Sequence, residues 1–309
     1  MLTLLHNTIE RDDRAAYRPY SASVKRVEQL TPHFVRVTFT GPDFGTFGTD
    51  QLDQRVKIVF PLAGHGLTDF GSDPDWYTAW RALPEGERGP FRTYTVRAVR
   101  PSERELDVDF VAHGDGGPAA RWLNAARVGD EVTIVGPDAR SIHSAVGIDW
   151  HPGTATHVLL AGDETATPAI CAIIESLAPH ITVRAFIEVP GAHDRFDLPL
   201  SKERGEVTWL HRGIDVSLER AVREWAASEP RYFASALSAT AQEVEEIDVD
   251  RETLWDSPEE SAGEFYAWIA GESAMIKSLR RFLVTETGID RKRVAFMGYW
   301  RLGKSEAFE

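Results

Sequence analysis

Between Phe91 and Leu123 the chain reads FRTYTVRAVRPSERELDVDFVAHGDGGPAARWL. Arg92, Tyr94 and Thr95 stand on a strand-like run with period-two alternation, and a second strand from Leu106 to Ala112 ends at His113. Gly114, Asp115, Gly116 and Gly117 then lead into Pro118, after which Ala119 to Ala126 reads as a helix. A glycine-rich turn that feeds proline at the first helical position leaves several backbone N–H groups free and pointing one way. With the helix dipole they form an anion site best suited to phosphate. Arg92 offers a guanidinium to another phosphate oxygen, and the phenol of Tyr94 can lie flat against a ring. Arginine, aromatic and helix amides together suit a pyrophosphate carrying flat rings at its ends. The same residues also fit an ordinary hairpin and tight turn, and composition alone does not choose between the two.

Other stretches carry reactive residue types. LLAGDETATPA, Leu159 to Ala169, follows a strand as a dinucleotide turn would. Such a turn needs glycines so that the backbone can approach pyrophosphate, whereas the carboxylates of Asp163 and Glu164 would repel it. Asp163 or Thr165 also serves as a cap for a helix beginning near Pro168. Glu188, at the end of the next strand, can hold a ribose 2′-hydroxyl and reject a 2′-phosphate, which favours NADH over NADPH. AGESAM has the strand–turn–helix character of a hydrolase nucleophile elbow, but Met275 stands where that motif needs glycine. The ten histidines show no HExxH or paired-ligand spacing, so no protein-bound metal is expected.

The elements that must position these residues divide the chain. At 309 residues it is long enough for two cores. A lead-in over 1–16 precedes a β-rich domain at 17–150 and an α/β domain at 151–309. Six strand candidates, Ser21–Gln29, Phe34–Thr40, Arg55–Phe60, Arg92–Val99, Leu106–Val111 and Glu131–Val135, predict a closed antiparallel barrel. Trp76, Tyr77 and Trp80 fall in an insertion expected to form either a short helix plugging the barrel or an aromatic wall beside a ligand. After Gly153, strands at His157–Ala161, Ile181–Val189, Glu206–Leu210, Phe265–Ala270 and Val294–Tyr299 alternate with helices at Pro168–Leu177, Ser217–Ala227 and Ser273–Thr287. That alternation predicts a parallel sheet covered on both faces. A net charge of −14 without a basic stripe argues against nucleic acid as a partner. The single cysteine, Cys171, cannot form an internal disulfide, and no apolar run approaches membrane-spanning length. A cytoplasmic setting is expected. Gln242 to Glu260 holds nine acidic residues and one arginine, the composition of a solvated loop.

RTYTVR together with DFVAHGDGGPAARW resembles the flavin-binding half of the siderophore-interacting protein family, the FAD-dependent ferric-siderophore reductases. AGDETATPAI, from Ala161, and AGESAMIKSLRRFL…GYWRLGK, from Ala270 to Lys304, resemble the same family in the same order. The resemblance implies a ferredoxin reductase-like pair of domains: an FAD-binding barrel and a nicotinamide-binding-like α/β domain. It implies that Arg92, Thr93, Tyr94, Thr95, Asp109, His113, Gly116, Gly117, Pro118, Ala119 and Trp300 hold FAD. It further implies a donor site at Asp163, Glu164, Thr165, Ala166 and Glu188, served by NADH or NADPH, although some family members take electrons from reduced ferredoxin. Lys57, Arg301 and Lys304 are the expected cations for an anionic ferric siderophore. Two positions depart from the family pattern. Ala120 replaces a common serine, and Asp138 a common arginine for which Arg140 substitutes in part. A general flavin reductase with another acceptor, and a binding protein without turnover, are the alternatives.

Overall fold

Alternation at period two carries the first half of the chain into strands. In the computed structural model, which describes residues 9–62, 64–69, 75–112 and 116–303, the chain divides into two units, Met1–Ile148 and Asp149–Glu309. The first unit contains β1 (Tyr17–Thr31), β2 (Phe34–Thr40), β3 (Arg55–Val59), helix α1 (Trp76–Ala82), β4 (Phe91–Thr95), β5 (Ala98–Arg100), β6 (Glu105–Val111), helix α2 (Pro118–Ala125) and β7 (Glu131–Pro137). The strands form one antiparallel sheet in the order β4-β3-β7-β1-β2-β6-β5.

Seven strands therefore replace the six expected, because the run Arg92–Val99 breaks in two. The break also joins the ends of the sheet. The Val96 N–H bonds to the Gln54 carbonyl beside β3, and the next N–H, of Arg97, bonds to Asp107 of β6, each at 2.9 Å. Two residues thus carry the chain from one edge strand to the other, and the sheet curls around a core that includes Val37, Phe39, Ile58, Phe60, Val108, Phe110 and Ile134. Helix α1 does not plug this barrel. Trp76 and Trp80 pack on Val59, Phe91 and Val135, which alternate with the core residues and so lie on the opposite face of the sheet.

The outer face of β6 is ionic. Glu105, Asp107 and Asp109 are all at most 4% exposed. Glu105 is bonded by Lys25, Arg26 and Arg100, and Asp107 by Arg100 and Thr38. Asp109 is bonded by Arg36. Bidentate partners make such buried carboxylates tolerable.

The second unit contains β8 (His157–Gly162), α3 (Thr167–Ser176), β9 (Thr182–Val189), β10 (Gly205–His211), α4 (Leu218–Ser228), β11 (Trp255–Asp256), β12 (Phe265–Glu272), α5 (Ser273–Arg280) and β13 (Val294–Trp300). The order is β10-β9-β8-β12-β13-β11, parallel except for the two-residue edge strand β11. β11 carries no pattern long enough to be read from sequence. Helix α5 is shorter than the segment Ser273–Thr287, because its last turns, Arg281–Glu286, widen into a π-helix. Strand order reverses between β8 and β12, so their carboxyl ends flank a topological switch point, where open α/β sheets bind ligands. No helix among the described residues is long and apolar enough to cross a membrane.

Candidate functional site

Helix α2 docks on the barrel core through Trp122. Its indole stacks on Phe39 at 6.1 Å and 19°, and leans on Phe60 and Phe110 at 5.1 and 5.9 Å between centroids. Phe60 and Phe110 also carry Tyr94, whose ring lies 4.4 Å from Phe110 and meets Phe60 edge-on at 6.5 Å. Two core phenylalanines thus carry both strand β4, through Tyr94, and helix α2, through Trp122. Arg92 sits on the same face of β4 as Tyr94, half-buried, with Nη1 donating to the Phe91 carbonyl at 2.7 Å.

The start of α2 is built to stay open. Gly117 is the N-cap, has extended backbone and offers no side chain to cap the turn, and Pro118 follows at the first helical position. A Cβ at Gly116 or Gly117 would meet nothing within 4 Å among the described residues. Packing therefore does not demand glycine at either position. Their bareness lets a ligand approach the backbone, and the first-turn amides of Ala119 and Ala120 are the donors it would meet. This arrangement fits the diphosphate of FAD, with Tyr94 available to a flat ring.

The other expected flavin residues are placed differently. Thr93 accepts from Lys57 Nζ at 2.9 Å on the face of the sheet opposite Tyr94, and Lys57 Nζ also lies 5.0 Å over the Phe91 ring. Thr95 is buried. Asp109 faces away from Phe110, and both its oxygens are taken by Arg36 at 2.7 and 2.8 Å. Asp138 is bonded by Arg140 at 2.9 and 2.6 Å and by Arg18 at 3.1 Å. Burial opposes the Asp138 charge, yet those partners hold its carboxyl below the ordinary value. Arg140 is therefore committed to Asp138. His113 and Lys304 lie outside the described residues.

In the second unit the turn after β8 closes on itself. Asp163 is 3% exposed. Its Oδ1 accepts from the Thr165 N–H and hydroxyl, at 2.9 and 2.5 Å. Its Oδ2 accepts from the Glu272 N–H at 2.8 Å and from Trp300 Nε1 at 2.7 Å. Trp300, expected at the flavin, bonds to the turn after β8. The side-chain cap expected of Asp163 or Thr165 is not formed: Ala166 is the N-cap of α3 without a side-chain bond, and the backbone carbonyl of Asp163 takes the Ala166 and Thr167 N–H groups at 3.0 and 3.1 Å instead. Glu164 is 1% exposed and bonds both terminal nitrogens of Arg212. Arg212 Nε reaches Glu188 at 3.1 Å, and the other Glu188 oxygen accepts from the Leu218 N–H at the start of α4, at 3.2 Å. Neither Arg212 nor the β12–α5 turn was legible as part of this group. No motif links residues so far apart in sequence.

Burial, then the charge of Glu164, pushes the Asp163 carboxyl up to about 6, against the hydrogen bonds from Thr165 and Trp300. A raised carboxyl favours its protonated form in the folded chain. Its stabilising contribution is complete below the ordinary value of 3.8 and is lost as pH rises through about 6. The stability difference between wild type and Asp163→Asn is expected to shift by about 2–3 kcal/mol in favour of wild type from neutral to acid pH. Urea unfolding of both proteins across that window reads it, and groups common to the two cancel.

At the end of β13, Tyr299 stacks on Trp255 at 5.8 Å and 14°, and meets Trp268 edge-on. Arg301 is half-buried, and its guanidinium makes no hydrogen bond or ion pair among the described residues. It is an available cation, as a site for an anion requires.

Comparison with known proteins bears on the whole chain. The siderophore-interacting FAD-binding domain family matches residues 23–141, and the siderophore-interacting protein family matches 155–303. An uncharacterized protein of Mycobacterium tuberculosis is 35% identical over 297 residues, covering 94% of this chain and 93% of its own length. The chain belongs to the siderophore-interacting protein family. Ferric vibriobactin reductase of Vibrio cholerae is 29% identical, over 91% of this chain and 89% of its own length. The crystal structure of a siderophore utilization protein from T. fusca is similar at a TM-score of 0.70 and 29% identity, covering 96% of this chain and 97% of its own. Within this siderophore-interacting protein, the open start of α2 lies inside the part matched to the FAD-binding domain.

Proposed function

We propose that this siderophore-interacting protein is a flavin-dependent ferric-siderophore reductase. The observation that carries the reading is the glycine-opened start of α2, a helix whose Trp122 rests on the same two phenylalanines as Tyr94. On this reading the amides of Ala119 and Ala120 and the Arg92 guanidinium hold the FAD diphosphate, and Tyr94 orients the ring system. FAD, when bound, supplies the conversion of a two-electron donor to one-electron delivery. Siderophores hold Fe(III) through hard oxygen donors far more tightly than Fe(II), so one electron releases the metal. Similarity to ferric vibriobactin reductase supports a ferric siderophore as substrate.

Reduced nicotinamide is the proposed electron source, with reduced ferredoxin the alternative. Both Glu188 oxygens are bonded within the chain, so on this reading Glu188 is structural and NADH and NADPH serve alike. Lys57 and Arg301 are the proposed attractors of an anionic chelate. Holoprotein reduced anaerobically is expected to return to yellow on addition of a ferric siderophore, with an Fe(II) chromogen developing in step. A reduced flavin that leaves the chelate ferric refutes the reading. Lys57→Ala and Arg301→Ala are each expected to raise the apparent KM for chelate about tenfold with little change in flavin content.

A further inference from the structure

We propose that the second unit uses a reduced nicotinamide through its ring end alone, because the chain's own carboxylates fill the seats of the pyrophosphate and the ribose. The inference rests on the reductase reading and names the part of the donor that is recognised.

The switch point between β8 and β12 is where a dinucleotide pyrophosphate would meet backbone amides. Here those amides are already spent. Asp163 takes the amides of Thr165 and Glu272 on its carboxylate, and those of Ala166 and Thr167 on its carbonyl. Glu272 in turn takes the Ala274 and Met275 amides at the start of α5, at 2.8 and 3.0 Å, through one carboxylate oxygen. Gly271 has φ +149°, and a Cβ there would lie 2.6 Å from Asp163 Oδ2. The glycine at this turn therefore makes room for a carboxylate of the chain. The guanidinium beside the turn, Arg212, is held by Glu164 and Glu188. At the end of β9, Glu188 is occupied by Arg212 and by the Leu218 N–H. A pyrophosphate entering this crevice would find the six amides named already bonded, with the partly exposed Glu272 carboxylate among their acceptors. The adenosine half of a dinucleotide then adds no grip, and binding energy from that remote half cannot assist the reaction.

The stoichiometry is unchanged. One hydride leaves the dihydronicotinamide, which becomes a pyridinium, and passes with one solvent proton to the flavin. Two ferric chelates then take one electron each, and two protons return to solvent.

The test uses FAD-loaded protein under anaerobic conditions, with loss of the yellow colour followed for reduced nicotinamide mononucleotide, NADH and NADPH. Adenosine diphosphoribose is titrated calorimetrically in parallel. Expected are bleaching rates within about threefold of one another at equal concentration, and no binding heat at up to about 1 mM adenosine diphosphoribose. NADH outpacing the mononucleotide by tenfold or more, micromolar binding of adenosine diphosphoribose, or no bleaching by any of the three overturns the proposal. Asp163→Ala frees the Thr165 and Glu272 amides, and the folded variant is expected to bind adenosine diphosphoribose at least about tenfold more tightly. Unchanged binding in that variant overturns the assignment to Asp163. Failure of the reductase reading shows separately, as chemically reduced flavin that does not reduce ferric chelate.

Discussion

Trp122→Ala is expected to destabilise the first unit by about 3 kcal/mol and to strip it of FAD, whereas Trp122→Phe keeps most of both. The side chain is half-buried, so its removal costs less than that of a fully enclosed tryptophan. It nonetheless contacts three core rings, Phe39, Phe60 and Phe110. No other aromatic residue on α2 can replace it, and Leu123 is the helix's one fully buried side chain. Loss of the indole therefore lets α2 shift over Phe60 and Phe110, and its open first turn moves with it. The Tyr94 ring rests on the same two residues and loses its fixed distance from that turn. Denaturant unfolding reads the stability, and flavin content after gel filtration with excess FAD reads the site. A variant that unfolds earlier yet binds FAD with wild-type affinity would show that α2 does not present the diphosphate.

The same residues show how far the site could be read from sequence. Gly116, Gly117 and Pro118 announce an open helix start, because glycine without packing need and proline at the first position are local features. Arg92 and Tyr94 announce themselves by alternation on β4. What local pattern cannot show is which faces meet. Asp109 alternates with Phe110, so it lies outside the barrel, opposite Arg36 in register. That pairing of β2 with β6 is a long-range fact. Lys57 and Thr93 are likewise paired across β3 and β4, which sets Lys57 on the face opposite Tyr94. The break of the fourth strand at Val96 and Arg97 has a similar origin. Both residues suit a strand, and only closure of the sheet makes their N–H groups bond to different neighbours.

In the second unit the parallel sheet was legible, since its strands alternate with helices, but the order of its strands was not. The acidity of Asp163 and Glu164 was also legible, and it spoke against phosphate. Their partners were not. Trp300 lies 137 residues from Asp163 and Arg212 lies 48 from Glu164. Residue types alone allow each of these carboxylates to be exposed, and only the sheet order brings the partners to one edge.

Arg212→Ala is the second large effect, an expected loss of about 2–3 kcal/mol from the second unit. Breaking a fully buried ion pair by removing one partner typically costs more. Here the Arg212 side chain is 42% exposed, and water screens its end of the pair. Glu164 has no such relief. At 1% exposure it gives both oxygens to Arg212, and the truncation removes both of those bonds from a buried carboxylate. Glu188 loses its bond to Arg212 Nε but keeps the Leu218 N–H, so the start of α4 stays anchored. The loss should therefore trace to Glu164, and a double-mutant cycle separates the contributions. Glu164→Gln in the Arg212→Ala background removes the stranded charge and is expected to recover at least about half of the lost stability. Lys at position 212 restores charge without the two-pronged geometry, so Arg212→Lys should fall between wild type and alanine. Denaturant midpoints for the four proteins of the cycle and for the lysine variant decide it. Equal midpoints for Arg212→Ala and wild type would mean that Glu164 finds water or another donor, and that Arg212 does not hold the turn after β8.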